Sequence, residues 1–329
     1  MTLSPQTTRD EPDLERELES HRRELTAHCY RMLGSGFEAE DAVQETMVRA
    51  WKGVARLDDR AALRPWMYRI ATNVCLDMLQ GAQRRARPMD LNSPVSADSP
   101  LDAGLAESAW VQPIADGRVL GAESDPAELA AAKESIRLAF VAALQHLPPR
   151  QRAVLILREV LRWQATEVAA LLETTVASVN SALQRARATL DGMDIALEDA
   201  TSAAVEAEHQ ELLTKYVEAF ESYDISSLVS LLHDDATFNM PPYEFWLRGP
   251  EQVEQFMYGH GIVCQGSRVM LTSANGRPAM AVYHAAGDGL WEPWSIVTLE
   301  VAGGKIAEVS NFLYPDLFEA FGLPPRLTL

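Results

Sequence analysis

Residues 164–190 read Gln164-Ala-Thr-Glu-Val-Ala-Ala-Leu-Leu172, then Glu173-Thr-Thr175, then Val176-Ala-Ser-Val-Asn-Ser-Ala-Leu-Gln-Arg-Ala-Arg-Ala-Thr-Leu190. The third piece has apolar residues at three- and four-residue steps, which predicts one buried helical face. Thr175 stands where an N-cap is favoured, because its hydroxyl can accept a backbone N–H two or three residues later. Two short helices joined by a polar turn, the second basic on its free face, predict a helix-turn-helix. An ordinary surface helical hairpin would show the same pattern. The sequence N-terminal to residue 164 is needed to distinguish the two interpretations.

Charge is distributed unevenly along the 329 residues, whose net charge is −18. The segments carry −4 over 1–19, +4 over 20–87, −7 over 88–132, +3 over 133–192 and −14 over 193–329. Two mildly basic helical segments are therefore separated by an acidic one and followed by a strongly acidic module. Only the two basic segments are expected to face phosphates.

Composition predicts a cytoplasmic protein without a membrane partner. No apolar run approaches the roughly 20 residues of a membrane span, and the polar start does not resemble a signal peptide. Cys29, Cys75 and Cys264 are far apart and lack metal-ligand spacing. They are therefore expected to be reduced, mostly buried thiols, and neither a metal nor a cofactor is predicted.

The N-terminal third predicts an all-helical domain. Residues 1–13 lack periodicity and are expected to be a disordered leader, whereas apolar periodicity predicts helices over 14–33, 37–51 and 64–79. The second helix is expected to turn inward Ala42, Val43, Met47, Ala50 and Trp51. The third presents Trp66, Tyr68, Arg69, Asn73 and Asp77 on its free face and is followed by Arg84-Arg85-Ala-Arg87.

Several of these stretches resemble a known family. Tyr30-Arg-Met-Leu-Gly34, Ala39-Glu-Asp-Ala-Val-Gln-Glu-Thr46 and Trp66-Met-Tyr-Arg-Ile-Ala-Thr-Asn-Val-Cys-Leu-Asp77 resemble region 2 of sigma-70-type factors of the extracytoplasmic-function class. Leu144-Gln-His-Leu-Pro-Pro-Arg-Gln-Arg-Ala-Val-Leu155, followed by the helix-turn-helix, resembles region 4 of the same factors. The resemblance implies two all-α sigma domains, region 2 over 14–87 and region 4 over 133–192, joined by an acidic linker over 88–132.

The resemblance also implies partners and site residues. The second helix would dock on the β′ clamp helices of the RNA polymerase core, and region 4 would meet the β flap. The residues implied for core binding are Asp41, Gln44, Glu45, Thr46 and Arg49. The third helix would open and read the −10 promoter element, and region 4 would read the −35 element. The residues implied for DNA binding are Trp66, Arg69, Asn73, Asp77, Arg84, Arg85, Ser178, Asn180, Ser181, Gln184, Arg185 and Arg187.

Residue chemistry agrees with these roles. Aromatic faces beside Arg and Asn can capture bases as they unstack. Plain core packing is the competing interpretation for Trp66 and Tyr68, and we expect it for at least one of them. Arg150 or Arg152 is expected to lie near phosphates.

Residues 88–132 are rich in Pro, Ser, Ala, Asp and Gly, which predicts a flexible connector. Trp110 lies in an apolar island within it. A tryptophan in a polar linker is seldom free, so we expect it to dock either on polymerase or on a domain of this chain. Asp125-Pro-Ala-Glu128 is expected to begin the region 4 helices.

The last third predicts an α+β domain. Helical patterns cover 209–223, 225–232 and 251–257. Strand-like runs cover 236–240, 268–272, 279–284, 294–301 and 305–313, the last two joined by an Ala302-Gly-Gly hairpin signal. Helices followed by a curved antiparallel meander predict a cone whose interior can hold a ligand.

This region resembles the SnoaL-like, NTF2-like domain that follows region 4 in a subset of extracytoplasmic-function factors. The resemblance rests on Leu231-Leu-His-Asp-Asp-Ala-Thr-Phe-Asn-Met-Pro-Pro242, Trp246-Leu-Arg-Gly249 and Phe321-Gly-Leu-Pro-Pro-Arg-Leu327. It implies a domain over 205–329 after a connector over 193–204. The possible pocket residues are His233, Asp235, Met240, Trp246, His284 and Trp294. Catalysis is not expected, because an Asp-Asp pair after a helix is more often a cap or turn.

The sequence therefore predicts a promoter-specificity subunit of RNA polymerase whose acidic C-terminal module modulates its activity. Opposite net charges favour docking of that module on the sigma domains in competition with phosphate. Whether the module inhibits or assists, and whether it holds an unknown small ligand, stays open. One alternative is a SnoaL-type isomerase or cyclase fused to a DNA-binding module. Another is a regulator that acts without polymerase.

Overall fold

A computed structural model of the chain describes residues 11–54, 57, 59, 62–101, 103–121, 125–193 and 203–328. These residues form two compact units. The N-terminal unit lies within Met1–Arg84, Gly117–Ser124 and Ala139–Ala196, and the C-terminal unit lies within Arg85–Asp116, Asp125–Leu138 and Leu197–Leu329. The predicted leader up to residue 10 and most of the predicted connector over 193–204 fall outside the described residues.

The elements follow one another in a helical part and a mixed part. The first helices are α1 (Glu11–Ser20), α2 (Arg22–Leu33), α3 (Gly36–Gly53), α4 (Leu63–Met78), α5 (Pro88–Leu91), α6 (Asp116–Val119), α7 (Pro126–Ile136), α8 (Leu138–Gln145), α9 (Pro149–Leu155), α10 (Ala165–Leu171) and α11 (Val176–Asp191). The later elements are α12 (Ala203–Ser222), α13 (Ile225–Ser230), β1 (Leu232–Asn239), β2 (Trp246–Arg248), α14 (Pro250–Tyr258), β3 (Arg268–Ala274), β4 (Arg277–Gly287), β5 (Leu290–Ala302), β6 (Lys305–Phe312), α15 (Leu317–Ala320) and β7 (Leu327–Thr328).

The predicted helix over 14–33 is in fact two helices that meet at His21. The His21 amide donates to the Leu18 carbonyl, three residues back, so the α-helical ladder is interrupted there. At the other end of α2, Gly34 has φ 74° and its amide donates to the Tyr30 carbonyl at 2.8 Å. This left-handed C-cap is the role expected of the glycine.

The helix-turn-helix is confirmed as α10 and α11. The Thr175 hydroxyl accepts the Ser178 amide at 3.1 Å, which is the predicted N-cap. Val179, Leu183 and Ala186 are buried on one face of α11. Glu173 in the intervening turn has φ 50°, a left-handed conformation that reverses the chain. The polar face of α11 is thereby left exposed.

Within the N-terminal unit, α9 packs against both α2 and α11. Arg152 on α9 is only 3% exposed and donates to the carbonyl oxygens of Met32, Gln145 and Leu147, as well as to the Gln145 side chain. Burial lowers the pKa of this guanidinium to about 10. Arg152 therefore stabilises the interior of this unit, and it is not the arginine that lies near phosphate.

The C-terminal unit is built on one sheet with strand order β2-β1-β6-β5-β4-β3, and β7 pairs with β5. Pairing is antiparallel except between β1 and β6, which are parallel. The expected meander is therefore confirmed for β3 to β6. Its closure through β1 differs, because that contact joins strands far apart in sequence that no local turn specifies. Gly303 and Gly304 have φ 59° and 72° and form the predicted hairpin turn.

The segment between α4 and α7 does not behave as a flexible connector. Its residues 85–116 belong to the C-terminal unit, and Trp110 is fully buried there. The Val95 amide donates to the Trp246 carbonyl at 3.0 Å, and the Leu105 amide donates to the Pro242 carbonyl at 2.9 Å. Trp110 thus docks on a domain of this chain. The polar composition predicted flexibility, yet the segment is ordered, because Trp110, Val111 and Ile114 are buried.

Helix α7 begins where predicted, since the Asp125 side chain accepts the Ala127 amide at 2.8 Å, but the helix belongs to the C-terminal unit rather than to region 4. Cys29 and Cys75 are buried and Cys264 is half-buried, and all three are free thiols, as predicted. In the part of the chain that the structure describes, no helix is long and apolar enough to cross a membrane.

Candidate nucleic-acid interface and cavity

Helix α11 brings together the polar residues predicted to meet DNA. All six are exposed: Ser178, Asn180, Ser181, Gln184, Arg185 and Arg187. Both arginines of this face are exposed. Arg187 forms an ion pair with Glu159 at 2.5 Å. A short helix with a buried apolar face and a free polar face has the form of a major-groove reader.

Helix α4 places its predicted residues in different environments. Tyr68 is fully buried and its hydroxyl donates to Glu24 at 3.0 Å, so this aromatic residue belongs to the core. Trp66 is half-buried, and Asn73 and Asp77 are exposed. The prediction that at least one of the two aromatic residues serves the core is confirmed.

A cleft of about 670 Å³ in the N-terminal unit collects residues from both predicted surfaces. Its lining includes Asn73 and Asp77 of α4, Arg49 of α3 and Arg150 of α9. Arg150 is exposed, unlike Arg152. Of the two arginines expected near phosphates, only Arg150 is therefore placed to reach one.

Arg69 forms an ion pair with Glu173, which lies in the turn of the helix-turn-helix. In this conformation a residue predicted to read the −10 element is held by the segment predicted to read the −35 element. Arg84 is exposed and contacts His146 of the same unit at 2.9 Å.

Arg85 is not available for DNA. It is 7% exposed and donates to the carbonyl oxygens of Glu107 and Trp110, at 3.1 and 2.7 Å. Its guanidinium is satisfied by backbone within the C-terminal unit. The prediction of a DNA contact at Arg85 is therefore wrong, because the following segment folds back over it.

Helix α3 exposes Asp41, Gln44, Glu45 and Arg49, four of the five residues predicted for core binding. The prediction that Thr46 binds core polymerase is wrong, since Thr46 is fully buried and its hydroxyl donates to the Ala42 carbonyl at 2.7 Å. The sequence carried this signal, because Thr46 follows Ala42 by four positions and precedes Ala50 by four.

Two apolar residues on α3 are exposed although the sequence did not predict their exposure. Trp51, expected to face inward, is 45% exposed, and Val48 is 41% exposed. Met47 is half-buried rather than fully inward. The exposed face of α3 is therefore mixed, with a tryptophan beside the charged residues.

The C-terminal unit encloses a cavity of about 500 Å³ between its helices and the sheet. Aromatic and methionine side chains form a large part of its wall. The wall includes Tyr216, Phe220, Phe238, Met240, Phe256 and Met257, and Trp294 stands at its rim. Among the predicted pocket residues, Met240 and Trp294 are therefore correctly placed.

The other predicted pocket residues do not line this cavity. His233 and Asp235 are exposed on β1, and Trp246 is buried with its indole N–H donating to the Asn92 carbonyl at 2.9 Å. His284 stacks on Trp294 with ring centroids 3.9 Å apart, and burial lowers its pKa. The alternation of residues along β1 could not show which face of the strand meets the cavity.

Two family models match the helical part of the chain. A family model described as Sigma-70 region 2 matches residues 18–85, and one described as Sigma-70, region 4 matches residues 137–190. The chain is 43% identical over 317 residues to the ECF RNA polymerase sigma factor SigG of Mycobacterium tuberculosis, covering 96% of this chain and 85% of SigG. The chain belongs to the ECF RNA polymerase sigma factors. Its function is therefore promoter recognition and transcription initiation with RNA polymerase.

The C-terminal unit of this sigma factor also has a counterpart. A family model described as SnoaL-like domain matches residues 213–309. The ECF sigma factor SigJ of M. tuberculosis is 25% identical over 323 residues, covering 94% of this chain and 95% of SigJ. The crystal structure of SigJ matches with a TM-score of 0.60 at 24% identity, covering 94% of this chain and 99% of that one, which supports the fold. The expected order of two helical sigma domains followed by an α+β module is confirmed.

Proposed function

We propose that α11 of this sigma factor reads the −35 element in the major groove and that the exposed face of α4 opens and reads the −10 element. The observation that carries this proposal is the capped, half-buried α11, whose free face presents Ser178, Ser181, Gln184 and Arg185 together. Hydroxyl, amide and guanidinium groups are the base-edge partners that major-groove recognition uses.

The exposed face of α3 is proposed to dock on the β′ clamp helices of core polymerase, and region 4 to meet the β flap. Asp41, Gln44, Glu45 and Arg49 share that face with Trp51. Charged residues around an exposed aromatic residue fit a protein interface, because aromatic anchors supply much of the binding free energy.

Promoter binding requires the two sigma regions to separate. Positions −35 and −10 lie about 25 base pairs apart, on the order of 80 Å along B-DNA. In the N-terminal unit, however, the rings of Tyr68 and Trp163 are 5.3 Å apart, and Arg69 is paired with Glu173. We therefore infer that the described conformation is a closed form, which opens before both elements are engaged.

Arg185→Ala is expected to weaken promoter binding by about 1–3 kcal/mol and to relax the preference at one −35 position, because a base-edge contact distinguishes sequences. Binding to a set of single-position −35 variants, measured by fluorescence anisotropy of holoenzyme at fixed salt, checks this. The matched control is Arg187→Ala, whose guanidinium is already paired with Glu159. Arg187→Ala should weaken all variants alike. An equal loss for Arg185→Ala on every variant would reassign Arg185 to the phosphate backbone.

The C-terminal unit is proposed to modulate transcription rather than to catalyse a reaction. His233 and Asp235, two of the predicted pocket residues, are exposed and do not line the cavity. The SnoaL-type isomerase alternative therefore has no support from these residues. Residues 85–116 and 125–138, which include most of the connector between regions 2 and 4, instead belong to this unit, so their docking restricts how far the sigma regions can move apart.

Asn275 forms hydrogen bonds to both of these segments. Its side chain donates to the Ile136 carbonyl at 2.6 Å and accepts the Ile114 amide at 3.1 Å, within the C-terminal unit. Asn275→Ala is expected to raise transcription from a cognate promoter by up to about tenfold, since losing two buried hydrogen bonds costs about 1–2 kcal/mol of docking. Multiple-round in vitro transcription with core polymerase measures this change.

The control is Asp288→Ala, because Asp288 also has a positive φ, 49°, but lies exposed in the β4–β5 turn. It matches the backbone strain of the Asn275 substitution without touching the connector. A fall in transcription with Asn275→Ala would mean that the docked connector assists initiation, and no change would remove the unit from regulation.

A further inference from the structure

The described lining of the cavity in the C-terminal unit includes one imidazole, His260, but no carboxylate, ammonium or guanidinium group. None of its described lining residues is Asp, Glu, Lys or Arg, and its wall is dominated by aromatic rings such as Phe220, Phe238 and Phe256. About 500 Å³ lies within the range of small-molecule sites. A charged ligand would lose its hydration here without gaining an ionic partner. The lining therefore selects against ions and for apolar, ring-bearing molecules.

Ser295 and Asn311, on neighbouring strands, add hydrogen-bonding capacity to that of the lining residues Tyr216, Tyr243 and His260. Val297 of β5 pairs with Asn311 of β6, so Ser295 and Asn311 lie diagonally on the same sheet face. Asn311 donates to the Asn239 carbonyl at 3.2 Å, which leaves its side-chain oxygen as an acceptor. Ser295 is buried and lines the cavity, and its hydroxyl can donate or accept a hydrogen bond. These groups can meet one hydroxyl or carbonyl substituent.

The mouth of the cavity is apolar and exposed. Leu101 is 37% exposed, Val263 is 61% exposed and Trp294 is 37% exposed, and all three line it. Large apolar side chains grouped at the entrance of an apolar cavity are characteristic of a binding site. Their exposure gives an apolar molecule a favourable path into the cavity.

One side of this mouth comes from the connector between regions 2 and 4. Leu101 belongs to it, and so does Leu105, whose amide donates to the carbonyl of the lining residue Pro242 at 2.9 Å. Gly104 lies so close to Pro242 that an added Cβ would stand 2.9 Å from its ring. The connector is therefore fitted closely to the cavity wall, and a ligand would touch it directly at Leu101.

We propose that this cavity binds an uncharged, mainly apolar, ring-bearing small molecule with one or two hydrogen-bonding groups, and that the connector senses its presence through Leu101. The binding site stands on its own geometry, whereas its effect on transcription rests on the modulating role proposed above. A bound molecule adds contacts to the docked connector and so stabilises docking by mass action. Ligand should therefore lower transcription.

The probe is N-phenyl-1-naphthylamine, a neutral two-ring fluorophore, titrated into the full chain. Saturable fluorescence enhancement is expected with a dissociation constant of about 1–100 µM. Its sulfonated counterpart, 8-anilino-1-naphthalenesulfonate, has the same skeleton with a negative charge and should bind at least about tenfold more weakly. Absence of saturable binding by the neutral probe, or equal binding of the two probes, would overturn the proposed ligand class.

Leu101→Glu places a carboxylate at the mouth and is expected to weaken binding of the neutral probe at least about fivefold. Leu91→Glu is the matched control, because Leu91 is a similarly exposed leucine of the connector, at 40%, that does not line the cavity. Both positions are on the surface, so both variants should fold. Equal affinity of the two variants would place the probe elsewhere and reject the site.

Hydrogen exchange separates the two halves of the proposal. Saturating probe should slow exchange of the Leu105 amide in the wild-type chain but not in Leu101→Glu. Binding without such protection would refute sensing by the connector. Binding and protection together, with Asn275→Ala leaving transcription unchanged, would uphold the site and reject the regulatory role on which its effect depends.

Discussion

Arg152→Ala is expected to lower the free energy of unfolding of the N-terminal unit by about 3–5 kcal/mol. The substitution removes a buried guanidinium and leaves the carbonyl oxygens of Met32 and Leu147 without that donor. Each buried acceptor left unsatisfied costs about 1–3 kcal/mol, and the vacated volume adds a cavity cost. Urea denaturation followed by circular dichroism measures the effect, which should appear in the transition assigned to the N-terminal unit.

Arg150→Ala provides the control, because Arg150 lies two positions earlier on the same helix and is exposed. Its stability should stay within about 0.5 kcal/mol of the wild type. Arg150→Ala should instead weaken promoter binding, since Arg150 lines the cleft shared with Asn73 and Asp77. Equal stability of the two variants would show that the buried hydrogen bonds of Arg152 contribute little.

The helix-turn-helix could be predicted because its determinants are local. The Thr175 cap and the spacing of Val179, Leu183 and Ala186 lie within one helix and the turn before it. The hairpin at Gly303 and Gly304 is equally local, since two positive φ values decide it. The residues that determine such elements lie close together in the sequence.

The environments of Arg85 and Trp110 could not be predicted from the neighbouring sequence. A basic cluster after a helix predicts a phosphate contact, yet Arg85 is satisfied by the Trp110 carbonyl 25 positions later. The polar composition around Trp110 predicted flexibility, because nothing local indicates that Ala86 will pair with it. Both outcomes depend on tertiary contacts that the composition of a segment does not encode.

The same limit applies to the C-terminal cavity. Met240 and Trp294 could be assigned to it because apolar residues near strand ends commonly face a cone interior. His233 and Asp235 could not be excluded by sequence, since alternation on β1 fits either face until the parallel pairing with β6 is known. The contribution of Leu101 was invisible, because a residue of the linker was not expected to touch this unit.

The double substitution Asp41→Ala with Arg49→Ala is expected to abolish association with core polymerase while leaving the fold intact. Both residues are exposed on α3, and Arg49 is paired only locally, with Glu45 at 2.6 Å. If docking buries these groups in charge pairs, removing one partner of each pair costs about 2–5 kcal/mol. The loss should therefore exceed a hundredfold in affinity, as measured by competition with wild-type protein for core enzyme.

Trp51→Ala is expected to add a comparable loss, because an exposed tryptophan beside charged residues is a typical interface anchor. Glu319→Ala with Arg326→Ala is the control pair. It removes the same two charges from exposed positions of the C-terminal unit, so it separates a docking effect from a change in net charge. Since α3 already buries Ala42, Val43 and Ala50, the exposed-face variants should melt at the wild-type temperature. Normal core binding by the Asp41/Arg49 variant, with an unchanged melting temperature, would move the docking surface away from α3.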